Sequence, residues 1–105
     1  GNTLDPNPSS VNGLASWYCL PGRSPCTRGY PPGPFAAAGP ALRAALGPDW
    51  RGRTVTVTAN GRLITATLVD WCQCPGGRVI DLYASVVVGL GLPLHRGVYP
   101  VEVTW

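Results

Sequence analysis

Fourteen glycines and twelve prolines interrupt this chain of 105 residues, and they constrain its fold more than any other feature. Proline breaks helix interiors and glycine costs about 1 kcal/mol there, so an all-helical fold is close to excluded. Such a composition can also signal disorder, but 45% hydrophobic residues and four tryptophans predict a packed core. No apolar run approaches the roughly 18 residues of a membrane-spanning helix. We therefore expect one loop-rich globular domain without a membrane span.

The charged residues are few and mildly basic in balance. Eight arginines and no lysine stand against five acids, which gives a net charge of +3 at pH 7. A basic surface favours anionic partners, nucleic acid among them. The arginines are scattered, however, and no basic run or known nucleic-acid motif is present. We therefore expect no nucleic-acid partner.

Four cysteines, Cys19, Cys26, Cys72 and Cys74, provide the main covalent constraint. Of the three possible pairings, the one that joins Cys72 to Cys74 spans a single residue and is geometrically strained. We therefore expect two disulfides that pair Cys19 and Cys26 with Cys72 and Cys74. Each would close a loop of about 50 residues and contribute about 3 to 4 kcal/mol. Paired cysteines are typical of secreted or cell-surface proteins, and any secretion signal is expected to have been removed or never included.

A zinc site built from the four thiolates is the alternative use of these cysteines. Zinc ligands usually occur as C-x2-4-C pairs, which the C-x6-C and C-x-C spacings of this chain fit poorly. We therefore predict no metal and no cofactor.

The N-terminal third of the chain has three parts before its first helix. Residues 1–12 have a linker composition and are predicted to form a flexible segment ahead of a domain over residues 13–105. Residues 14–19 are predicted to form a strand, and residues 21–34 a proline-rich loop. A proline at the start and a glycine past the end mark a short helix over residues 39–47.

The rest of the chain is dominated by strand patterns. Thr54–Thr58 alternates polar and apolar residues, Asn60-Gly61 is a hairpin turn, and Arg62–Val69 returns as the second strand. If the alternation continues, Asp70 lies on the face of Ile64 and Trp71 on the other face. Further elements are predicted in this order: a strand at 78–80, a helix at 84–90 and a last strand at 98–105.

Three short segments carry a more specific signal. They run from Gly13 to Tyr18, from Leu68 to Asp70 and from Val79 to Leu82, and a short helix and a glycine-led final strand follow the last one. In this order they resemble the double-psi β-barrel of rare-lipoprotein-A-like proteins, a fold shared by expansins, barwin-like plant proteins and certain endoglucanases. The resemblance spans residues 13–105. It implies an all-β, six-stranded double-psi barrel with two short helices, secretion, and work on cell-wall polysaccharide.

The resemblance places Asp70 at the groove aspartate of the family, whose enzymatic members cleave glycan strands by acid catalysis. The chain departs from the family pattern at two places. The usual Asp-Arg-Gly-Pro is replaced by a sequence that begins Asp70-Trp71-Cys72, and the Thr-Ala-Ala-His of transglycosylase-like members matches residues 36–39, with Gly39 at the histidine position. The nearby glutamate is missing too, because no acid lies between Asp5 and Asp49. These departures count against hydrolytic activity.

The candidate site residues each have a functional and a structural interpretation. Asp70 is either an acid in a glycan groove or a cap at the end of a strand, and Asp81 is expected to cap the helix that follows it. Five aromatic residues are candidates for a platform that stacks on sugar rings, with core packing as the alternative; they are Trp17, Tyr18, Tyr30, Trp71 and Tyr83. We expect Trp71 to be the most exposed ring.

We therefore predict a secreted module that binds or remodels cell-wall polysaccharide, expected to be peptidoglycan, without hydrolysing it, as expansin-like proteins do. Three alternatives remain open. The first is a lytic transglycosylase-like enzyme that uses Asp70. The second is a secreted cysteine-protease inhibitor of the same fold, whose loop 20–35 would contact a protein partner. The third is a structural subunit of an extracellular assembly, in which segment 1–12 docks onto a neighbouring copy by strand addition.

Overall fold

The computed structural model describes residues 9–18 and 34–105. Six strands form a closed barrel in the order β1-β5-β2-β4-β3-β6, which confirms the predicted all-β barrel with two short helices. The strands are β1 (Ser10–Tyr18), β2 (Phe35–Ala38), β3 (Thr54–Ala59), β4 (Arg62–Trp71), β5 (Arg78–Tyr83) and β6 (Tyr99–Thr104). The helices are α1 (Pro40–Leu46) and α2 (Ala84–Gly89), and a short 3-10 helix covers Leu94–Arg96.

The predicted hairpin between β3 and β4 is present. Asn60 and Gly61 both adopt a positive φ, 56° and 70°, as a two-residue turn of type I′ requires. The alternating valines of β3, Val55 and Val57, are buried in the core, and the threonines between them are more exposed. Local turn chemistry and period-two patterning therefore determine this part of the barrel.

Strand β2 was not predicted from the pattern of residues, although it lies between β5 and β4 in the wall of the barrel. Its Ala36–Ala38 run has low strand propensity. It forms a strand because it is held on both sides, parallel to β4 and antiparallel to β5. All three alanines are buried, so small side chains allow the two neighbouring strands and the helices to pack closely around it.

Strand β1 begins at Ser10, four residues before the predicted start. Residues 10–12, which were assigned to a flexible N-terminal segment, pair with β6 through Ser10↔Thr104 and the two pairs that follow. β1 also pairs in parallel with β5. These two pairings close the barrel, so the strands that the structure describes offer no open sheet edge to a neighbouring chain. Strand addition through segment 1–12 therefore has no acceptor edge on this part of the chain.

The helices follow their end signals. Pro40 occupies the first turn of α1, and Gly47 ends it with φ 89°. Leu42 of this helix is fully buried and belongs to the core, together with Ile80, Leu82 and Tyr99. In α2 the residues Val86 and Val87 face the same core.

The predicted disulfide pairing is wrong. The structure joins Cys72 to Cys74, with 5.1 Å between their Cα atoms, so neither residue pairs with Cys19 or Cys26, which lie outside the described residues. The bridge across one residue is possible because Cys74 adopts a left-handed φ of 44°, which turns the chain back on itself. The same bridge uses two of the four thiolates that the zinc alternative required.

Candidate functional site

Strand pairing brings three polar residues into one row across the outside of the barrel. Ala37 of β2 pairs with Asp81 on one side and with Asp70 on the other, and Asp81 pairs in turn with Ser16. Because paired residues share a face of a sheet, the side chains of Ser16, Asp81 and Asp70 lie on the same face. That face is opposite to the core-lining Ile80 and Leu82.

A β-bulge determines on which face of the sheet the Asp70 side chain lies. The register of β2 against β4 passes from Ala36↔Leu68 to Ala37↔Asp70, which leaves Val69 as the extra residue. Simple alternation predicted that Asp70 would continue the buried face of β4, and this prediction is wrong. The bulge moves Asp70 to the outer face and aligns Trp71 with Ala38 at the end of the barrel.

Asp81 is the centre of a hydrogen-bonded cluster. Ser16 donates its hydroxyl to Oδ1 of Asp81 at 3.0 Å, and Nη1 of Arg78 donates to the Ser16 hydroxyl oxygen at 3.2 Å. Burial raises the pKa of Asp81, and the Ser16 hydrogen bond and the charge of Arg78 oppose that rise. The expected helix cap is absent, because Tyr83 precedes α2 and no side chain caps that helix. Asp81 is therefore a partly buried strand carboxyl whose pKa is raised above its ordinary value.

Asp70 has a different environment. It is half-buried, and its Oδ1 accepts a hydrogen bond of 2.8 Å from the Trp71 backbone N–H. This contact fits the interpretation of Asp70 as a strand-end cap, and the acid in a glycan groove stays a prediction. Two strand spacings separate it from Asp81, which places their Cα atoms about 10 Å apart.

The predicted aromatic platform divides into separate groups. Tyr18 and Tyr83 meet edge to face with ring centroids 5.2 Å apart, and Phe35 packs on Tyr83 in the same way at 5.4 Å. Tyr83 is buried, and Tyr18 and Phe35 are half-buried, so this cluster packs the outer face beside Asp81. Trp17 lies on the other face of β1, where its Nε1 donates to the Leu94 carbonyl at 2.8 Å.

Among the four members of the predicted set that the structure describes, Trp71 is the exposed ring, with 53% of its surface accessible. The guanidinium of Arg43 lies over it at 5.7 Å from the ring centroid. Tyr30 lies outside the described residues. The structure therefore separates Trp71 from the Tyr18–Tyr83 cluster.

Gly39, at the position where the family resemblance places a histidine, has no room for a side chain. A Cβ atom built on Gly39 would lie 2.7 Å from the Val79 carbonyl oxygen and 3.1 Å from Cβ of Cys74. The Gly39 N–H also donates to that carbonyl at 2.8 Å. Close backbone packing against β5 and the disulfide loop therefore requires glycine here.

Within residues 9–18 and 34–105, no group of three or more His, Cys, Asp or Glu side chains could hold a metal ion. The same residues contain no helix that is long and apolar enough to cross a membrane.

Sequence reasoning missed the roles of Ser16 and Arg78 and misassigned Asp81. One signal was available: Asp81 sits between the apolar Ile80 and Leu82 of a strand, where period-two alternation points it away from the core. The contact with Ser16 depends on a parallel pairing between strands 65 residues apart, which no local pattern reveals.

Comparisons with known proteins address the fold. Two crystal structures of Clavibacter michiganensis expansin, one an Asp-to-Asn mutant in complex with cellohexaose and one apo, match with a TM-score of 0.66 at 19% and 20% identity. Each match covers 90% of this chain and 49% of the expansin chain. A Streptomyces papain inhibitor matches with a TM-score of 0.65 at 27% identity, over 94% of this chain and 96% of the inhibitor. The fold is an expansin-like double-psi barrel.

This double-psi barrel spans about half the length of the expansin chains and nearly the whole length of the inhibitor. No protein-family model and no curated protein matches its sequence.

Proposed function

We propose that this double-psi barrel is a secreted module that binds cell-wall polysaccharide, with peptidoglycan as its natural ligand, and does not hydrolyse it. The observation that carries the proposal is the Ser16–Asp81–Arg78 cluster on the outer face of the barrel. In this cluster the Ser16 hydroxyl connects a carboxyl group and a guanidinium, because it donates to Asp81 and accepts from Arg78.

These groups suit sugar hydroxyls, which donate and accept hydrogen bonds at the same time. The second carboxyl oxygen of Asp81 can accept from a hydroxyl, or donate to one when the group is protonated, and Arg78 can donate. Arg78 is itself fixed, because its Nε donates to the Pro75 carbonyl at 3.0 Å. The cluster is therefore preorganised for a polar ligand.

Two observations support binding without hydrolysis. Gly39 cannot be replaced by the histidine of transglycosylase-like proteins without a backbone clash. Asp70, the other carboxyl of the row, accepts a hydrogen bond from its own strand end. Cleavage of a glycosidic bond usually takes two carboxyl groups with separate roles, one as acid and one as base or nucleophile.

The expansin that was crystallised with cellohexaose supports a carbohydrate ligand for this fold. The likeness is at 19% identity and covers about half of that protein, so the comparison does not identify ligand-binding residues in this chain. The Ser16–Asp81–Arg78 cluster is a separate observation that supports the same proposal.

The test is co-sedimentation of the purified domain with insoluble peptidoglycan and with cellulose at low salt. We expect binding by the wild type and loss of most of it in Asp81→Asn and Ser16→Ala. Glu102→Gln is the matched control, because Glu102 is an exposed carboxylate on β6 and its loss changes the net charge equally. Absence of wild-type co-sedimentation with either polymer refutes the proposal.

The same samples test for enzymatic activity. We expect no soluble muropeptides from the wild type. Release of muropeptides by the wild type that disappears in Asp70→Asn would refute binding without hydrolysis. It would instead support a transglycosylase-like activity that uses Asp70, with Asp81 as the second carboxyl group of the row.

A second candidate function is inhibition of a papain-like cysteine protease. The observation that favours it is the match to the papain inhibitor, which covers 96% of that protein at 27% identity. The assay is papain hydrolysis of a fluorogenic peptide in the presence of the domain. Inhibition at nanomolar concentration, unchanged in Asp81→Asn, would favour this function over polysaccharide binding.

A further inference from the structure

Two tryptophan–arginine pairs lie beside the end of β4, away from the Ser16–Asp81–Arg78 cluster. We call Arg43, Trp50, Arg51 and Trp71 the Trp–Arg surface. Arg43 lies over the ring of Trp71 at 5.7 Å, and Arg51 lies over the ring of Trp50 at 4.8 Å. Both distances fall within the range of cation–π interactions.

Arg43 is held by the backbone rather than by a carboxylate. Its Nη1 donates to the Ala38 carbonyl at 2.7 Å and to the Cys72 carbonyl at 3.0 Å. Both hydrogen bonds use Nη1, so among the described residues Nε and Nη2 are the donors that remain for a ligand. Both partners of Nη1 are neutral carbonyl groups.

Arg51 is anchored in the same way. Its Nη1 donates to the Val69 carbonyl at 2.6 Å. The anchors of the two arginines, the Val69 and Cys72 carbonyls, lie three residues apart in sequence at the end of β4 and just past it. Both arginines are therefore fixed near the same end of this strand.

The rings offer apolar faces between these charges. Trp71 is 53% exposed although Arg43 lies over its ring, so about half of the side chain is accessible to a ligand. Indole rings stack on the C–H faces of sugars, and guanidinium groups bind carboxylates with two parallel hydrogen bonds.

Two carboxylates are close to this surface in sequence. Asp49 precedes Trp50 and is exposed. Asp70 precedes Trp71, but its Oδ1 accepts the Trp71 N–H and its side chain lies on the opposite face of the strand. The exposed Arg53 adds a further positive charge to the segment, so the balance of the segment is basic.

We propose that the Trp–Arg surface is a second binding site, specific for glycans that carry carboxylate groups. The proposal rests on the proposed polysaccharide-binding function and narrows its substrate class. Trp71 binds the sugar ring by stacking, and Arg43 and Arg51 bind the carboxylates. Neutral glycans use the ring contact alone and bind more weakly.

The experiment measures binding of hexagalacturonate by calorimetry and compares it with the methyl ester of the same hexamer. The ester keeps the rings and removes the charges. We expect the acid to bind about tenfold or more tightly, since charge-assisted hydrogen bonds are about twice as strong as neutral ones. The affinity for the acid is also expected to fall with increasing salt.

Variants then assign the site. Arg51→Gln is expected to weaken binding of the acid roughly tenfold and to leave binding of the ester unchanged. Trp71→Ala is expected to weaken both ligands. Arg96→Gln is the matched control, because Arg96 is an exposed arginine of the 3-10 helix and its removal lowers the net charge equally. Because Arg43→Gln can disturb the disulfide loop, Arg43→Lys keeps the charge and removes the planar fork, and it is also expected to weaken the acid selectively.

The outcomes separate this inference from the proposed function. A wild type that sediments with peptidoglycan but binds the acid and the ester equally refutes the Trp–Arg surface alone. Inorganic polyphosphate that competes as well as hexagalacturonate also refutes it, because the attraction is then to any polyanion. A wild type that binds neither the hexamers nor the insoluble polymers refutes both proposals.

Discussion

Replacing Gly39 with alanine is expected to destabilise the domain far more than a single methyl group usually does. The added Cβ would lie 2.7 Å from the Val79 carbonyl oxygen, 3.0 Å from its carbonyl carbon and 3.1 Å from Cβ of Cys74. Two of these atoms belong to the backbone of β5, which is paired on both sides, and the third to a disulfide, so none can rotate away. The strand and helix α1 must move apart instead.

The magnitude follows from three contributions. Forcing a methyl group into a packed site costs about 1 to 3 kcal/mol. Gly39 also precedes α1, where alanine is the poorer residue by about 1 kcal/mol. Alanine also lowers the conformational entropy of the unfolded chain, which offsets about 0.4 to 1 kcal/mol of the loss. This gain applies because the φ of Gly39, −78°, suits any residue. The net loss is about 2 kcal/mol, which lowers the Tm by roughly 10 °C in a domain of this size.

The assay is thermal unfolding followed by circular dichroism, with Gly89→Ala as the matched control. A Cβ at Gly89 would meet only the side chain of Ile64, with the close contact at its terminal methyl, and this half-buried side chain can change rotamer. Alanine is also favoured over glycine in a helix by about 0.5 to 1 kcal/mol, so this variant should unfold near the wild-type Tm. A Gly39→Ala Tm within about 2 °C of wild type would show that the close packing does not constrain this position.

Three further changes test other parts of the structure. For Asp81→Asn, the pKa of Asp81 is higher in the folded protein than its ordinary value of 3.8. Between these two pKa values the folded chain binds the Asp81 proton more tightly than the unfolded chain does. The free energy of unfolding of the wild type therefore falls as the pH rises through this window. We expect the Tm of the variant to rise relative to that of the wild type between pH 3 and pH 7. A difference in Tm that does not change with pH would contradict the burial of this carboxyl. Removing the bridge in the double variant Cys72→Ala/Cys74→Ala should cost about 1.6 kcal/mol in urea unfolding, as expected for a loop of three residues, and a cost near 4 kcal/mol would indicate long-range pairing instead. In Tyr99→Phe, the Pro93 carbonyl and the Gly97 N–H lose their buried partner, so we expect a loss of about 1 to 3 kcal/mol in the same assay, and a value near zero would mean that water replaces the hydroxyl.

Local rules predicted the parts of the barrel that local chemistry controls. Asn60-Gly61 determines the hairpin, and Pro40 and Gly47 mark the ends of α1. The pattern of residues alone did not find β2, because three alanines form a strand only when neighbouring strands hold them on both sides. The family resemblance predicted the six-stranded architecture that this pattern left incomplete.

The candidate site was harder to predict because it depends on register. The face of Asp70 is set by a bulge at Val69, and the role of Asp81 by a parallel pairing with Ser16. The disulfide depended on the left-handed backbone of Cys74, which the spacing of the cysteines does not reveal. The bulge and the parallel pairing depend on how distant strands align, and the disulfide depends on an unusual backbone angle. A single sequence carries no direct signal for these features.

The pairing of β1 has a consequence for the order of folding. Both of its neighbours, β5 and β6, come from the second half of the chain, so β1 has no partner until about 65 further residues have been made. The β3–β4 hairpin, by contrast, can form as soon as it is synthesised. Because such distant pairings carry a large loop-closure entropy, we expect folding to begin at the hairpin and closure of the barrel by β1 to limit its rate.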